Sequence, residues 1–391
     1  MGTFMGYQRE NGDVGVRNQI AVIPSVFCAN HVCKKVAERF PRAIAFPHPD
    51  GCGQHGKDLQ QTIDALRGIG QNGNFGAVLV VGLGCERIKS DELAEAIGES
   101  GKPVAHFTIQ EVGGTANAIA KGREIVGKFD ALLAKQKRVP CDIAELKLGL
   151  KCGGTDATSG ISANPALGLA SDRIVEQGGT SFLSEMAELL GTENIFKRRA
   201  ETPEVYERVC SELKYVEGVL ERLTQGIERT SAQAALVTPG NFAGGVSSVS
   251  EKALGGIHKS GSAKFVDVIG YGIRPKKHGL QLMAAAGTDC DIVTALAAGG
   301  AQIVAFTTGR GTPTGFPGVP VYKITGNDQT FKNMGEDLDY NAGRVMTGEI
   351  TLEQAGPEIY DDLIRIAEGE KTKAEAGEHD ELFGIGRYEC Y

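Results

Sequence analysis

The chain has 391 residues and a formal net charge of -8, with Lys and Arg scattered along it, which argues against a general nucleic-acid surface because a polyanion is held by a concentrated basic patch. No stretch approaches the roughly 18 apolar residues of a membrane span, and the opening MGTFMGYQRENGDVG lacks the apolar centre of an export signal, so a cytoplasmic protein without membrane contact is expected. The nine cysteines are an odd number in a chain without such a signal, which favours reduced thiols or metal ligands over a disulfide framework.

The length exceeds what one hydrophobic core usually fills, so two lobes are expected. Short apolar runs alternate with helical spacing from the start. QIAVIPSVF (19–27), AIAF (43–46), AVLVVGL (77–83) and PVAHFTI (103–109) read as strands, each followed by a helix-like segment. KQKRVP (135–140) closes a first lobe at about residue 140, and KLGLKC (147–152) opens a second that runs to residue 391. A long helical region is expected over 203–228, then strands at KFVDVIG (264–270), LQLMAA (280–285), AQIVAFT (301–307) and VYKIT (321–325). The charged segment EGEKTKAEAGEHD (368–380) reads as a solvated helix end or mobile arm. The fold class is therefore α/β, two Rossmann-like lobes with mainly parallel sheets, and ligands are expected at the carboxyl ends of the strands.

HPDGCGQHG (48–56) admits two readings. Its last six residues spell G-x-G-x-x-G, but four residues separate them from the preceding strand, and the next acidic residue at a strand end, Glu86, lies further on than a dinucleotide fingerprint places it. Cys52 and His55 make a metal site the competing reading. Cys52 in DGCGQHG, Cys85 in VVGLGCER and Cys152 in LGLKCGGTD each follow an apolar strand among glycines. Three thiolates from three strand ends could hold iron, as an iron-sulfur cluster or a mononuclear Fe2+, with one coordination position open. The bland alternative for each is a small buried side chain. Cys28 and Cys33 bracket His31 in FCANHVC with spacing unsuited to zinc, and Cys141, Cys210, Cys290 and Cys390 read as structural or superficial.

Several segments, GYQRENGDVGVRNQIAVIPSV, HPDGCGQHG, AVLVVGLGCE, LGLKCGGTDATSGISANPALG, GGTSFLSE, PGNFAGG and AFTTGRGTPTGFP followed by EDLDYNAGR, together resemble the catalytic region of the altronate/galactarate dehydratase family. The resemblance runs from about residue 6 to 350 in the same order. It implies a lyase that eliminates a β-leaving group from a hydroxy acid with help from iron or Mn2+. In fused members a small SAF-type domain precedes this region, whereas this chain begins almost at the shared GY-R-NG-VG-RN pattern. The resemblance therefore implies a small SAF-domain α subunit as partner in a hetero-oligomer, the arrangement of the family's sulfolactate sulfo-lyase. The expected substrate is (2R)-3-sulfolactate ahead of altronate or galactarate.

Removing a proton α to a carboxylate needs a base and stabilisation of the enolate-like charge, which a metal supplies as a Lewis acid. His48, His55 and Lys151 are the candidate bases. Arg17 with Asn18, Lys151 and Arg310 are candidate anchors for carboxylate or sulfonate, since Arg offers a forked set of donors to such groups. Asn241 lies in TPGNFAGG, whose free backbone N–H groups suit an anion. Asp156, Ser159 and Asn164 could bind a substrate hydroxyl or the metal, Asn164 being equally readable as a helix cap. Two other classes stay open: an oxidoreductase using the GCGQHG loop, and a binding subunit whose metal is structural.

Overall fold

The computed structural model describes residues 2–224, 236–381 and 383–388. Among them the strands are β1 (Thr3–Gln8), β2 (Val14–Gly15), β3 (Gln19–Pro24), β4 (Ala43–Ala45), β5 (Phe75–Gly82), β6 (Val104–Thr108) and β7 (Val139–Asp142). They continue with β8 (Lys147–Gly153), β9 (Thr180–Leu183), β10 (Phe265–Gly270), β11 (Gly279–Ala284), β12 (Ile303–Thr308), β13 (Val321–Thr325) and β14 (Tyr340–Asn341). One sheet has the order β4-β3-β5-β6 and a second the order β10-β11-β9-β8-β12-β13-β14. Every pairing in both is parallel. The chain is thus the expected α/β protein with mainly parallel sheets. Strand β5, FGAVLVVG, is buried along its whole length, as a strand covered by helices on both faces must be.

Several short strands escape the sequence pattern. TFMGYQ and VPCD pair antiparallel as β1 and β7, with Phe4 opposite Cys141, and β2 adds to the other edge of β1. TSFL, a run of four residues directly after a glycine pair, enters the larger sheet as β9 between β8 and β11. Runs this short carry too few apolar residues to announce a period.

The two parallel sheets share a core. Val78, Val80 and Phe75 from β5 fall in one hydrophobic cluster with Val304 and Phe306 from β12. Helices Gly56–Gln71 and Asp289–Ala298 lie between them, and every residue of the second helix from Ile292 to Ala298 is buried. Gly68 permits the crossing, because a Cβ there would stand 2.4 Å from the Ala298 carbonyl oxygen. The turn after the first helix, residues 71–74, completes the junction. Asn72 Nδ2 donates to the carbonyls of Ala297 and Ala301, both at 2.8 Å, and its Oδ1 accepts from Asn74 N at 2.9 Å. Asn74 in turn donates to Gln302 O and Gly318 O and accepts from Val16 N.

The segment 368–380 is not a mobile arm. Thr372 and Glu375 form a capping box on the short helix Lys373–Ala376, Ala374 is buried in the shared core, and Arg17 holds Glu375 through two 2.7 Å contacts. The charge pattern that suggested solvation is the anchor itself. The helical region starting at residue 203 is described as Pro203–Thr224, and its expected end lies outside the described residues.

The Ala297 carbonyl keeps the Gly300 N–H, but Asn72→Ala removes the side-chain partner of the buried Ala301 carbonyl and of the Asn74 N–H. It is expected to lower unfolding free energy by about 2–4 kcal/mol, read from urea titration; a loss below about 0.5 kcal/mol would remove the amide from the junction.

Candidate functional site

The carboxyl end of β8 is the densest concentration of buried charge among the described residues. Lys151 and Cys152 are its last buried side chains, 3% and 1% exposed. Glu185, immediately beyond β9, lies opposite them. Its carboxylate accepts from Lys151, from Lys259 Nζ at 2.7 Å and from the Cys152 backbone N–H at 3.0 Å. Glu185 adopts left-handed backbone geometry, φ 71°, a conformation a non-glycine residue keeps only when its surroundings enforce it. The two lysines and the β8 backbone enforce it here.

The ring then widens. Cys152 Sγ lies 3.2 Å from Glu188 Oε2 and accepts from Lys259 Nζ at 3.1 Å. Glu188 pairs with Lys252 at 2.7 Å, and Lys151 reaches Asp289 at 2.8 Å. Lys259 is fully buried. Burial alone would drive off its proton, but Cys152, Glu185 and Glu188 outweigh that effect and hold it above the ordinary lysine range. The same contest leaves Lys151 an ammonium, raised well above its usual value by Glu185 and Asp289. Burial raises the Glu185 carboxyl, yet the two lysines prevail and keep it ionised. Burial and Glu185 push the Cys152 thiol up to about 12.

Cys152, Glu185 and Glu188 offer ligand atoms that all lie within 4.8 Å of one another, the one such group among the described residues. A soft sulfur with two hard oxygens is a donor set that suits a borderline divalent metal such as Fe2+ or Mn2+. A bound metal would replace the Cys152 thiol proton and share the carboxylates with the lysines. The group opens on a cavity of about 480 Å3 whose wall includes Lys151, Glu188, Lys252 and Asp289.

A second set of predicted residues meets three positions further along. Asp156 accepts from Ser159 N and Oγ, from Thr158 Oγ1 and from Asn327 Nδ2. A Cβ on Gly309 would fall 2.1 Å from its carboxyl carbon, and one on Gly244 2.7 Å from its Cβ. These two glycines let TTGRG and PGNFAGG close over GGTDATSG. Asn241 donates to Thr155 O at 2.9 Å and forms the capping box of Thr238. Arg310, exposed beyond β12, runs along Gly240, and its guanidinium makes no hydrogen bond or ion pair among the described residues. Asn164 lies behind them, fully buried, donating to Gly255 O and accepting from Thr307 Oγ1. It is the first residue of its helix and its side chain does not cap it.

The remaining predicted residues lie elsewhere. Cys52 and Cys85 are exposed at the carboxyl edge of the smaller sheet, outside the group built on Cys152. Arg17 and Asn18 precede β3, at its amino end. Arg17 is committed to Glu375 and three backbone carbonyls, Asn18 to Arg9 and Leu133 O. His55 is the exposed residue preceding helix Gly56–Gln71. His48 is buried with both nitrogens engaged, Nδ1 accepting from Asp50 N and Nε2 meeting Pro24 O at 2.8 Å. Of the residues that complete the charged group, sequence reasoning missed Glu185, Glu188, Lys252, Lys259 and Asp289. Two signals were available: Glu185 closes the segment GGTSFLSE, and Lys252 and Lys259 are seven residues apart in EKALGGIHK, about two helical turns.

Burial lowers the His48 pKa, so the unfolded chain takes up a proton that the folded chain refuses. Stability is therefore present above the unfolded value of about 6.5 and is lost as pH falls below it. Between pH 7 and pH 5 the melting temperature is expected to fall less steeply in His48→Gln than in wild type; parallel slopes would take His48 out of the acid response.

The family model described as D-galactarate/Altronate dehydratase, C-terminal, matches residues 143–389, and D-galactarate dehydratase/Altronate hydrolase, second domain, matches residues 6–133. Altronate dehydratase of Bacillus subtilis is 35% identical over 97% of this chain and 77% of its own length. The (2R)-sulfolactate sulfo-lyase subunit beta of Chromohalobacter salexigens is 36% identical over 99% of this chain and 98% of its own. Galactarate dehydratase (L-threo-forming) of Escherichia coli is 32% identical over 94% and 73%. With the matched segments covering both parallel sheets and the charged group at the end of β8, the chain is a lyase belonging to the D-galactarate/altronate dehydratase family.

Proposed function

We propose that the chain catalyses β-elimination from a small anionic 2-hydroxy acid, with (2R)-3-sulfolactate as substrate and pyruvate and sulfite as products. The observation that carries the elimination is the Cys152, Glu185 and Glu188 group ringed by Lys151, Lys252 and Lys259, with Lys151, Glu185, Glu188 and Lys252 on the wall of one cavity. A divalent iron or manganese held by those three ligands would supply Lewis-acid stabilisation of charge developing on the substrate carboxylate and hydroxyl. The surrounding ammonium groups add fixed positive charge in a dry setting, where it acts most strongly. Lys151, already protonated between two carboxylates, serves as a charge holder and not as the base.

The proton acceptor on the cavity wall is then a carboxylate, and Asp289 fits. Half-exposed to the cavity, it is oriented by Lys151 at 2.8 Å. In the reaction the α C–H proton passes to that base while the C–S bond breaks and sulfite leaves with its electron pair. The enol that remains takes a proton at the terminal carbon and becomes pyruvate. Sulfite leaves as an anion and needs cationic contacts more than protonation. Lys252 on the cavity wall and Arg310 beside the 238–240 loop supply such contacts. Likeness to the sulfo-lyase subunit over nearly the full length of both chains favours this substrate, and that protein's name as a beta subunit supports a small partner subunit here, the SAF-domain chain implied by the family resemblance.

The second reading is a sugar-acid dehydratase, favoured by relatives named altronate and galactarate dehydratase at 32–35% identity. Hydroxide leaves only when protonated, a task the Lys252 ammonium can serve.

Incubating chain, partner and metal separately with sulfolactate, altronate and galactarate, and assaying sulfite and 2-keto acid, decides between them. Sulfite with equimolar pyruvate is expected from sulfolactate alone. Keto acid from a sugar acid without sulfite from sulfolactate would assign the hydro-lyase. Glu188→Gln and Cys152→Ser are expected to weaken retention of iron or manganese about tenfold or more with the fold retained; unchanged metal content after dialysis would remove the group as a metal site.

A further inference from the structure

The carboxyl edge of the smaller sheet carries three cysteines that the elimination does not use. Cys28 follows β3, Cys52 follows β4 and Cys85 follows β5, and these strands are neighbours in the order β4-β3-β5. All three thiols are free and exposed. None of the three sulfurs has a hydrogen bond among the described residues, in contrast to Cys141, which donates to Val139 O, and Cys152 within its ion pairs.

The loops that carry them are built against one residue, the buried Ser25. On one side the turn holding Cys52 packs so closely that a Cβ on Gly51 would stand 2.3 Å from Ser25 O, and Phe27 N donates to Asp50 O at 3.0 Å. On the other, Ser25 Oγ donates to Glu86 Oε1 at 2.9 Å. The Glu86 carboxylate also accepts from the backbone N–H groups of Leu83, Gly84 and Cys85. That fixes the GLGCE turn around its own anion. Cys28, one residue beyond Phe27, completes the set. Around Cys52 the space is open: a Cβ on Gly53 or Gly56 would meet nothing within 4 Å. Helix Gly56–Gln71 starts there with no side-chain cap, presenting free N–H groups to an anionic group.

We propose that Cys28, Cys52 and Cys85 hold an iron-sulfur cluster, separate from the metal group of Cys152. Thiolates select iron-sulfur chemistry over single hard cations. A single ion needs its ligand atoms close together, and among the described residues only the Cys152 group meets that condition. Sulfide-bridged irons span thiols set further apart. On loading, each thiol gives up its proton, and three protein ligands leave one iron of a cubane open to an outside donor.

The test is anaerobic reconstitution of the full chain with ferrous iron and sulfide, followed by desalting. Wild type is expected to retain roughly four irons with matching acid-labile sulfide and broad visible absorption, together with further iron, unaccompanied by sulfide, at the Cys152 group. Cys28→Ser, Cys52→Ser and Cys85→Ser should each cut the labile sulfide about tenfold or more at unchanged melting temperature, since these side chains are exposed. Cys152→Ser should keep the sulfide and the absorption, losing only iron unaccompanied by sulfide. Absence of labile sulfide in wild type, its survival in any of the three variants, or its loss in Cys152→Ser would each overturn the assignment. Because labile sulfide reports only the cluster, its failure leaves the Cys152 metal group and the elimination to be judged by their own measurements.

Discussion

The position of one parallel sheet on the other depends on burying the polar turn at residues 71–74. Asn72 and Asn74 are completely buried, where an amide without partners is costly. Each finds its partners across the junction: the last turn of helix Asp289–Ala298, the start of β12 and the Gly318 loop. Apolar packing between the helices is non-directional and would tolerate sliding. The amides do not, because a shift of the sheets would break several directed contacts together. The helix they secure begins with Asp289, the cavity carboxylate that pairs with Lys151, so the turn also fixes one wall of the site.

At the edge of the larger sheet the decisive balance is electrostatic. Lys151, Lys259 and Glu185 are almost wholly buried, and ions in such surroundings persist only when every charge is met and hydrogen-bonded. Glu185 achieves this by bridging both lysines from a left-handed backbone position. Strain at that residue and charge at its neighbours are therefore two aspects of one arrangement: relax the backbone and two buried ammonium groups lose their counter-ion. Groups so held need little reorganisation when charge develops on a bound substrate, which is the condition for strong electrostatic stabilisation.

Much of this was legible in the sequence. Apolar runs such as AVLVVGL and AQIVAFT are long enough to announce buried parallel strands, and the glycine-rich segments at their ends marked the edge where Cys152, Asp156 and Arg310 meet. The grouping of side chains was not legible. Cys52, Cys85 and Cys152 share a local context, yet the first two follow strands of one sheet and the third a strand of the other, and sheet membership is decided by long-range pairing that no local window contains. Glu185 and Glu188 went unread because TSFL is too short to declare itself a strand, so the acidic residues after it carried no sign of lying at a strand end. Arg17 pointed to a ligand by residue type, but its position before β3 turns it toward the C-terminal segment.

The GLGCE turn has a further consequence. Backbone N–H groups gathered in a tight turn make a natural anion receptor, and a glycine-rich loop after a parallel strand is where phosphates commonly settle. In this chain the receptor is filled from within by Glu86, one residue along. An external phosphate or carboxylate would have to displace a tethered carboxylate whose effective concentration is that of an intramolecular group. The loop therefore has the form of a nucleotide cradle and the selectivity of a closed one, which turns free anions away from this turn and leaves the Cys85 sulfur exposed.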